Sequence, residues 1–355
     1  MFVCQGKVES ELYSFMGIDT RITPKLSGME IIQAVIRENY DLGEVQLPWQ
    51  LESTHQRRHR KMVVDTDAGR FLVKTYQRDP VVLDNLRFQH NLSAHLTKND
   101  IPVAQIKRAR NGKGIVEADT WAMELQTFVP GEPMHVTTGT LETSSRVLGH
   151  FHETCRDVPV PPRDARKWRF SEVPRESLHR LFKLAQKNGV REHMETYANH
   201  ISRFLYDASM VLSKEKRDTF ETGLIHGDWH GGNLLYVGEQ LTAVLDLEFA
   251  GDGCYLEDIA YAISNLCIRT TLSDEKMSHR VNVLLDSYQA YRTLTYNELV
   301  ALFYAVGVKH VTTVSYQAPQ MGGTVAGYTA AQWLHRLAVQ CRWLAEQSRK
   351  ARWGE

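Results

Sequence analysis

No CxxC pair occurs anywhere in the sequence. Cys4, Cys155, Cys254, Cys267 and Cys341 lie far apart and are odd in number. That excludes a zinc ribbon and a disulfide framework and reads as free thiols in a reducing compartment. Nor is there a charge excess: Lys plus Arg and Asp plus Glu number 42 each. A chain without net basicity lacks the electrostatic footprint of a nucleic-acid or membrane-surface binder. The run Gln56-Arg57-Arg58-His59-Arg60-Lys61 is the one local candidate for a polyanion contact, against a solvated strand or turn. The N-terminus has no basic segment leading into an apolar run, so no secretory signal is expected. No stretch of about 18 apolar residues suggests a bilayer span. The expectation is a cytoplasmic protein without nucleic-acid or membrane partners, of oligomeric state the sequence does not set. What is present is 355 residues, 43% hydrophobic and 24% charged, enough for a two-lobed protein.

Along the chain, neither internal repeats nor low-complexity tracts appear. Gly28 to Tyr40 spaces Ile31, Ile32, Val35 and Ile36 as an amphipathic helix. Lys61 to Lys74 reads as strand, turn at Asp67-Ala68-Gly69, strand. Leu83 to Leu96 is helical and ends at Asn99-Asp100-Ile101-Pro102; a second strand pair is expected across Asn111-Gly112-Lys113-Gly114, with Gly114 to Val116 and Thr120 to Leu125 as partners. Val129-Pro130-Gly131-Glu132-Pro133 then breaks the strand pattern. Beyond it the periodicity is helical, except for a β-like island from Leu224 to Leu247. The expected class is α+β with two lobes: residues 1–128, strand-rich, and residues 129–355, mainly helical.

The β-like island carries the most informative stretch, Gly223-Leu224-Ile225-His226-Gly227-Asp228-Trp229-His230-Gly231-Gly232-Asn233. Asp246 follows in Val244-Leu245-Asp246-Leu247-Glu248. Phosphoryl transfer depends on positioning and on neutralising phosphate charge. A carboxylate such as Asp228 orients an attacking hydroxyl and takes its proton. A carboxamide oxygen (Asn233) and a second carboxylate (Asp246) suit Mg²⁺, which takes hard oxygen ligands. Gly227, Gly231 and Gly232 permit a tight loop that brings Asp228 and Asn233 together.

His226-x-Asp228-x-x-x-x-Asn233 followed by Asp246 resembles the catalytic and metal-binding segments of the protein-kinase-like fold. More closely, the stretch is similar to the aminoglycoside phosphotransferase and choline kinase superfamily, which also holds homoserine, methylthioribose and spore-coat-type kinases. The resemblance implies Asp228 as catalytic base, Asn233 and Asp246 as magnesium ligands, and Asp258, in Glu257-Asp258-Ile259-Ala260, as a brace for the loop. Gly69-Arg70-Phe71-Leu72-Val73-Lys74 looks like the strand ending in the phosphate-binding lysine. Met123 to Glu132 resembles the hinge, with backbone near Gln126 and Phe128 bonding the base. Val147-Leu148-Gly149-His150-Phe151-His152 is similar to the family's helix ending in Leu-His. Two departures stand out. The lysine's usual glutamate partner aligns with Gln89, with Asp84 the alternative. The phosphate-covering loop, Ser53 to Arg60, contains no glycine.

Other residues are open between two roles. His226 reads as a structural brace. His230 is a loop residue or a substrate contact, Trp229 a substrate stack or loop packing, and Glu248 a group near the metal or substrate or a core-edge salt-bridge partner. The expected activity is transfer of the γ-phosphoryl group of ATP or GTP, with Mg²⁺, to a hydroxyl of a small amino alcohol, amino acid, sugar or aminoglycoside. The alternatives are a catalytically silent kinase-fold nucleotide-binding module, or a metallophosphoesterase using Gly227-Asp228-Trp229-His230-Gly231 as its Gly-Asp-x-His-Gly box. A protein substrate is disfavoured, because no Ala-Pro-Glu segment follows and Asp246 precedes Leu-Glu-Phe.

Overall fold

The structure, a computed structural model, describes residues 28–51, 60–160, 174–187, 189, 191–270 and 273–353. The chain divides into two units. One runs to Pro130 and takes back Thr242–Glu248; the other comprises Gly131–Leu241 and Phe249–Glu355.

The first unit opens with α1 (Gly28–Asn39), whose Ile32, Val35 and Ile36 pack with Val64, Phe71, Val73 and Leu125 of the sheet in one apolar cluster. β1 (Trp49–Gln50), β2 (Arg60–Thr66) and β3 (Gly69–Gln77) follow. The β2–β3 turn closes as the sequence suggests, on Asp67-Ala68-Gly69 with Gly69 at φ +116°. Pro80 at the first turn and the Asp79 carboxylate, accepting from the N–H groups of Val81 and Val82, start α2 (Pro80–Lys98). β4 (Ile106–Lys107), β5 (Ile115–Glu117) and β6 (Trp121–Thr127) complete a sheet of order β1-β2-β3-β6-β4, with β5 also on β6. β5 pairs antiparallel with β6 as expected, Val116 opposite Met123, and the turn between them lies at Ala118, whose N–H bonds Trp121 O at 2.8 Å. Asn111-Gly112-Lys113 instead makes its own loop, closed on both sides by Ala109. Thr242–Glu248 belongs here because Val244 N–H bonds Pro102 O at 2.8 Å and Thr242 Oγ1 bonds Pro130 O at 3.0 Å.

In the second unit, the Pro-Gly break is followed at once by β7 (Glu132–Pro133), an addition to the expected elements. Then come α3 (Thr138–Thr154), α4 (Arg175–Gln186), α5 (Arg191–Val211), β8 (Thr222–Ile225) and β9 (Leu234–Val237). β7 pairs antiparallel with β9. After β10 (Gln240–Val244), β11 (Gly251–Cys254) pairs with β8, Ile225 opposite Gly251. α6 (Tyr255–Ala262) runs on through a widened turn to Ile268, and α7 (Asp274–Tyr288) and α8 (Tyr296–Gln320) follow. The small hairpin β12 (Thr324–Val325) and β13 (Tyr328–Thr329) leads into α9 (Ala330–Trp353). One correction concerns apolar length: α8 alone among the described helices is long and apolar enough to cross a membrane, but it is mostly buried in this unit. Its buried Val306, Val311 and Val314 make it a core helix. Cys155, Cys254, Cys267 and Cys341 are free and buried; Cys4 lies outside the described residues.

Candidate active site

The loop leaving β8 turns sharply at Gly227 (φ +78°), where a Cβ would stand 2.5 Å from Phe249 O. Only glycine fits there without strain. Asp258, in the first turn of α6, fixes the turn: Oδ2 accepts the N–H of His226 at 2.7 Å and Oδ1 that of Gly227 at 2.8 Å. His152 Nε2, on α3, lies 3.1 Å from Asp258 Oδ2, and its Nδ1 lies 2.8 Å from the Tyr288 hydroxyl of α7. Burial lowers the His152 pKa, so the ring is neutral. A carboxylate only accepts, so Nε2 carries the proton and Nδ1 accepts from Tyr288. For Asp258 burial works upward, but the His152 bond and the nearby imidazoles outweigh it, and the carboxyl stays below its usual range.

On this support sits Asp228. Asn233 Nδ2 donates to Asp228 Oδ2 at 2.9 Å and to its backbone O at 3.0 Å. His230 Nδ1 accepts the Gly232 N–H at 3.0 Å, leaving Nε2 toward Asp228 Oδ2 at 3.4 Å. Burial pushes the Asp228 pKa up; the His230 bond and the neighbouring His230, His226 and Lys309 side chains push harder the other way. The group is therefore an ionised, oriented carboxylate. Beside it, Tyr261 has its hydroxyl pKa raised by burial and by the charge of Asp228, and Lys309 Nζ stands 3.7 Å over the Tyr261 ring. His226 is fully buried and accepts the Asp228 N–H on Nδ1 at 3.2 Å. Trp229 is 1% exposed, edge-on to His226 and against Phe151. Of its two possible roles the structure gives packing, which corrects its placement on the substrate side: a ring this buried offers no face to a ligand.

In the first unit, Lys74 lies on β3 opposite Lys61 of β2 and opposite Glu124 of β6. Directly opposite residues share a face, so Lys61, Lys74 and Glu124 form one row. Asp246, with φ +55°, receives Lys61 Nζ at 2.8 and 2.9 Å and Lys74 Nζ at 3.2 Å. Burial alone would raise its pKa; the two ammoniums hold it far below the carboxylate range. For Lys74 burial pulls downward, and the charges of Asp246, Glu124 and Glu248 keep it raised and protonated. The Glu124 carboxylate, 1% exposed, is also bonded by Tyr76 (2.8 Å), Gln126 Nε2 (2.7 Å) and His90 Nε2 (2.5 Å).

The model of the Phosphotransferase enzyme family matches residues 54–292, more than half of the chain. The chain belongs to this family. Among curated relatives, the homoserine kinase of Nitrobacter hamburgensis is 24% identical over 241 residues, covering 68% of this phosphotransferase and 69% of that kinase. Stress response kinase A of Salmonella choleraesuis is 26% identical over 199 residues, 55% of this chain and 56% of that one. Among solved structures, an aminoglycoside phosphotransferase from Alicyclobacillus acidocaldarius superposes with a TM-score of 0.66 at 15% identity. It covers 94% of this chain and 98% of the other. The fold is kinase-like, with a strand-rich first part and a mainly helical second.

The phosphotransferase departs from its sequence-based reading around Lys74. Neither Gln89 nor Asp84 is bonded to the lysine: Asp84 pairs with Arg87 at 2.6 Å and is 75% exposed. The helix contributes His90 instead, one residue on, and the buried glutamate comes from β6. At the expected hinge, the Phe128 N–H is spent on Arg70 O (3.1 Å) and the Thr127 N–H on Gln105 O (2.8 Å), while Gln126 is paired in the strand. Phe128 therefore offers no free N–H to a base. Residues 52–59, including Arg57 and Arg58 of the basic run, lie outside the described residues. Tyr261 and Lys309, which act on Asp228, were not signalled by any motif.

Proposed function

We propose that this phosphotransferase moves the γ-phosphoryl group of a nucleoside triphosphate, ATP or GTP, onto a hydroxyl of a small amino-bearing metabolite. The observation that carries the reading is Asp228: an ionised carboxylate, oriented by Asn233 and His230, on a loop fixed by Asp258. In this role Asp228 takes the proton of the acceptor hydroxyl as the oxygen attacks phosphorus. Asn233 and His230 keep its Oδ2 aligned. His226 and Asp258 act as braces. Lys74 neutralises phosphate charge.

Magnesium fits the donors available. Both Asn233 bonds use Nδ2, and among the described residues no donor is bonded to its Oδ1; Asp246 is held as a carboxylate. Asn233 Oδ1 and the Asp246 carboxylate are each an oxygen donor of the kind that would hold Mg²⁺, which when bound offsets the triphosphate's charge. Glu248 contributes negative charge next to Lys74. Among the described residues no three His, Cys, Asp or Glu side chains gather to hold a metal, which disfavours a two-metal phosphoesterase. The silent-module alternative rests on the missing helix glutamate and the glycine-free loop; Glu124 supplies the first charge from β6, and residues 53–59 of the loop lie outside the described residues. With Phe128 N–H occupied, the base has the Phe128 carbonyl and the Val129 N–H as the next hinge groups.

An amino-bearing acceptor is favoured because homoserine and aminoglycosides, the acceptors named for two similar proteins, both carry amino and hydroxyl groups. The test is nucleotide consumption against panels of amino alcohols, amino acids, aminoglycosides and plain sugars. Turnover confined to amino-bearing acceptors supports the reading. Turnover only on sugars refutes the acceptor class, and hydrolysis of phosphate esters in place of transfer refutes the reaction.

A further inference from the structure

Tyr261, Asn265 and Arg269 recur every fourth residue along α6 and the widened turn that carries it on to Ile268. Side chains at that spacing are neighbours on a helix surface, and this row runs beside the catalytic loop. Asn265 Oδ1 accepts the Gly231 N–H at 3.1 Å. Tyr261 has its hydroxyl pKa raised by burial and by its contact with Asp228. Arg269 ends the row, near enough for Tyr261 to act on its charge.

Arg336 of α9 meets Arg269 there, its Nη2 donating to the Arg269 carbonyl at 3.3 Å. Arg336 is only 6% exposed. Its guanidinium lies over the Tyr328 ring, 4.2 Å from the centroid, which satisfies the face of the group. The edge is not satisfied, because the buried Nε has no acceptor. Arg269 Nη2 donates to Gln317 Oε1 at 2.8 Å, a neutral partner. Burial lowers the Arg269 pKa, and Tyr261 alone works against it. His310, which lies near both guanidiniums, is neutral through burial and supplies no countercharge. Among the described residues no carboxylate is paired with Arg269 or Arg336.

Withdrawing a cation from water is costly unless an anion meets it. Two guanidiniums, each with a planar fork of N–H donors, match the oxygens of a carboxylate or a phosphate. We propose that Arg269 and Arg336 bind an anionic group of the acceptor, a carboxylate or a phosphate monoester, beside the hydroxyl that Asp228 deprotonates. The inference rests on the phosphoryl-transfer reading above. It narrows the acceptor to an amino-bearing metabolite that also carries such an anion, which a polycationic aminoglycoside does not.

The experiment uses matched acceptors that differ in the anion: homoserine against aminopropanol, its decarboxylated counterpart, and glucosamine phosphate against glucosamine. Transfer kinetics and calorimetric binding are measured for wild type, Arg269→Gln, Arg269→Lys and Arg336→Gln. Wild type should favour the anionic member of one pair by about tenfold or more in kcat/KM. The pair that responds distinguishes carboxylate from phosphate. Each glutamine variant should raise KM and Kd for that member by about tenfold, with kcat, nucleotide affinity and the neutral member near wild type. Arg269→Lys keeps the charge but not the fork and should fall between.

The proposal is overturned if wild type prefers the neutral members, or if both glutamine variants bind the anionic member within about twofold of wild type. Equal losses for neutral and anionic members overturn it as well, since the substitutions then act through the fold. Should Arg336→Gln fail to fold, Arg269→Gln, at the more exposed of the two arginines, decides the same point. Transfer to neutral members alone defeats the anion site and leaves the phosphoryl-transfer reading standing. Arginine-dependent binding of an anionic member with no transfer to any acceptor does the reverse.

Discussion

Asp258 Oδ1 accepts the N–H of Gly227 at 2.8 Å, tying the first turn of α6 to the residue that immediately precedes Asp228. The same carboxylate takes the His226 N–H and the His152 imidazole. One buried anion thus fixes the backbone direction of the loop, and α3 and α7 fix the anion through His152 and Tyr288.

Asp258→Asn replaces one acceptor oxygen by an amide that faces an N–H. The expected loss of stability is about 1–3 kcal/mol, with a fall in turnover larger than any change in nucleotide affinity. Chemical unfolding and steady-state rates check both. The pH dependence follows from the depressed folded pKa. The stabilisation is full above the unfolded carboxylate value near 4, and wild type loses it as pH falls through the folded value. The variant should lack that component of acid unfolding.

Gly227→Ala places a methyl group 2.5 Å from Phe249 O at φ +78°. Backbone strain of about 1–3 kcal/mol is expected, and Asp228 should be misplaced with it. A melting temperature equal to wild type would show that the loop relaxes freely, contrary to the clamped geometry.

Glu124→Gln removes a negative charge that keeps Lys74 protonated in a buried setting. Nucleotide affinity should fall several-fold, part of the pair's attraction being offset by desolvation. Gln89→Glu and Asp84→Asn, away from the lysine, should leave it unchanged. Titration of the three variants side by side distinguishes a β6 partner from a helix partner.

His310 is buried between Ser264 and Gln340 Oε1, and burial pushes its pKa from 6.5 down to about 3. The unfolded chain therefore binds a proton first as pH falls. Its contribution is intact above pH 6.5 and declines toward pH 3, at about 1.4 kcal/mol per pH unit. His310→Gln should remove one proton's worth of slope from stability measured between those limits. An unaltered slope would mean that the histidine does not titrate on unfolding.

The loop from His226 to Asn233 was legible because its chemistry is local: spacing alone puts Asp228 and Asn233 on one turn. Lys74 was legible as a strand-end lysine, but Glu124 was not, since it meets Lys74 only through β3–β6 register, fifty residues later in the chain. The helix was read one residue out of phase, at Gln89 instead of His90, because α2 starts at Pro80 and no apolar residue marks which side faces Glu124. Trp229 could not be assigned from sequence: an aromatic between a base and a glycine pair looks the same whether it packs or stacks, and Phe151, seventy-eight residues earlier, decides it. The boundary at Pro130 was visible in the Val-Pro-Gly break. The return of Thr242–Glu248 to the first unit was not, because it depends on Pro102, Pro130 and the two lysines.

The most direct measurement is turnover of Asp228→Asn on the acceptor found by the nucleotide-consumption panel, paired with its nucleotide affinity. The substitution keeps the shape of the side chain and removes the charge that takes the hydroxyl proton. Turnover should fall at least about a hundredfold, while nucleotide affinity stays near that of wild type. Turnover within a few-fold of wild type would contradict the assignment of Asp228 as the base, and with it the central reading of this site.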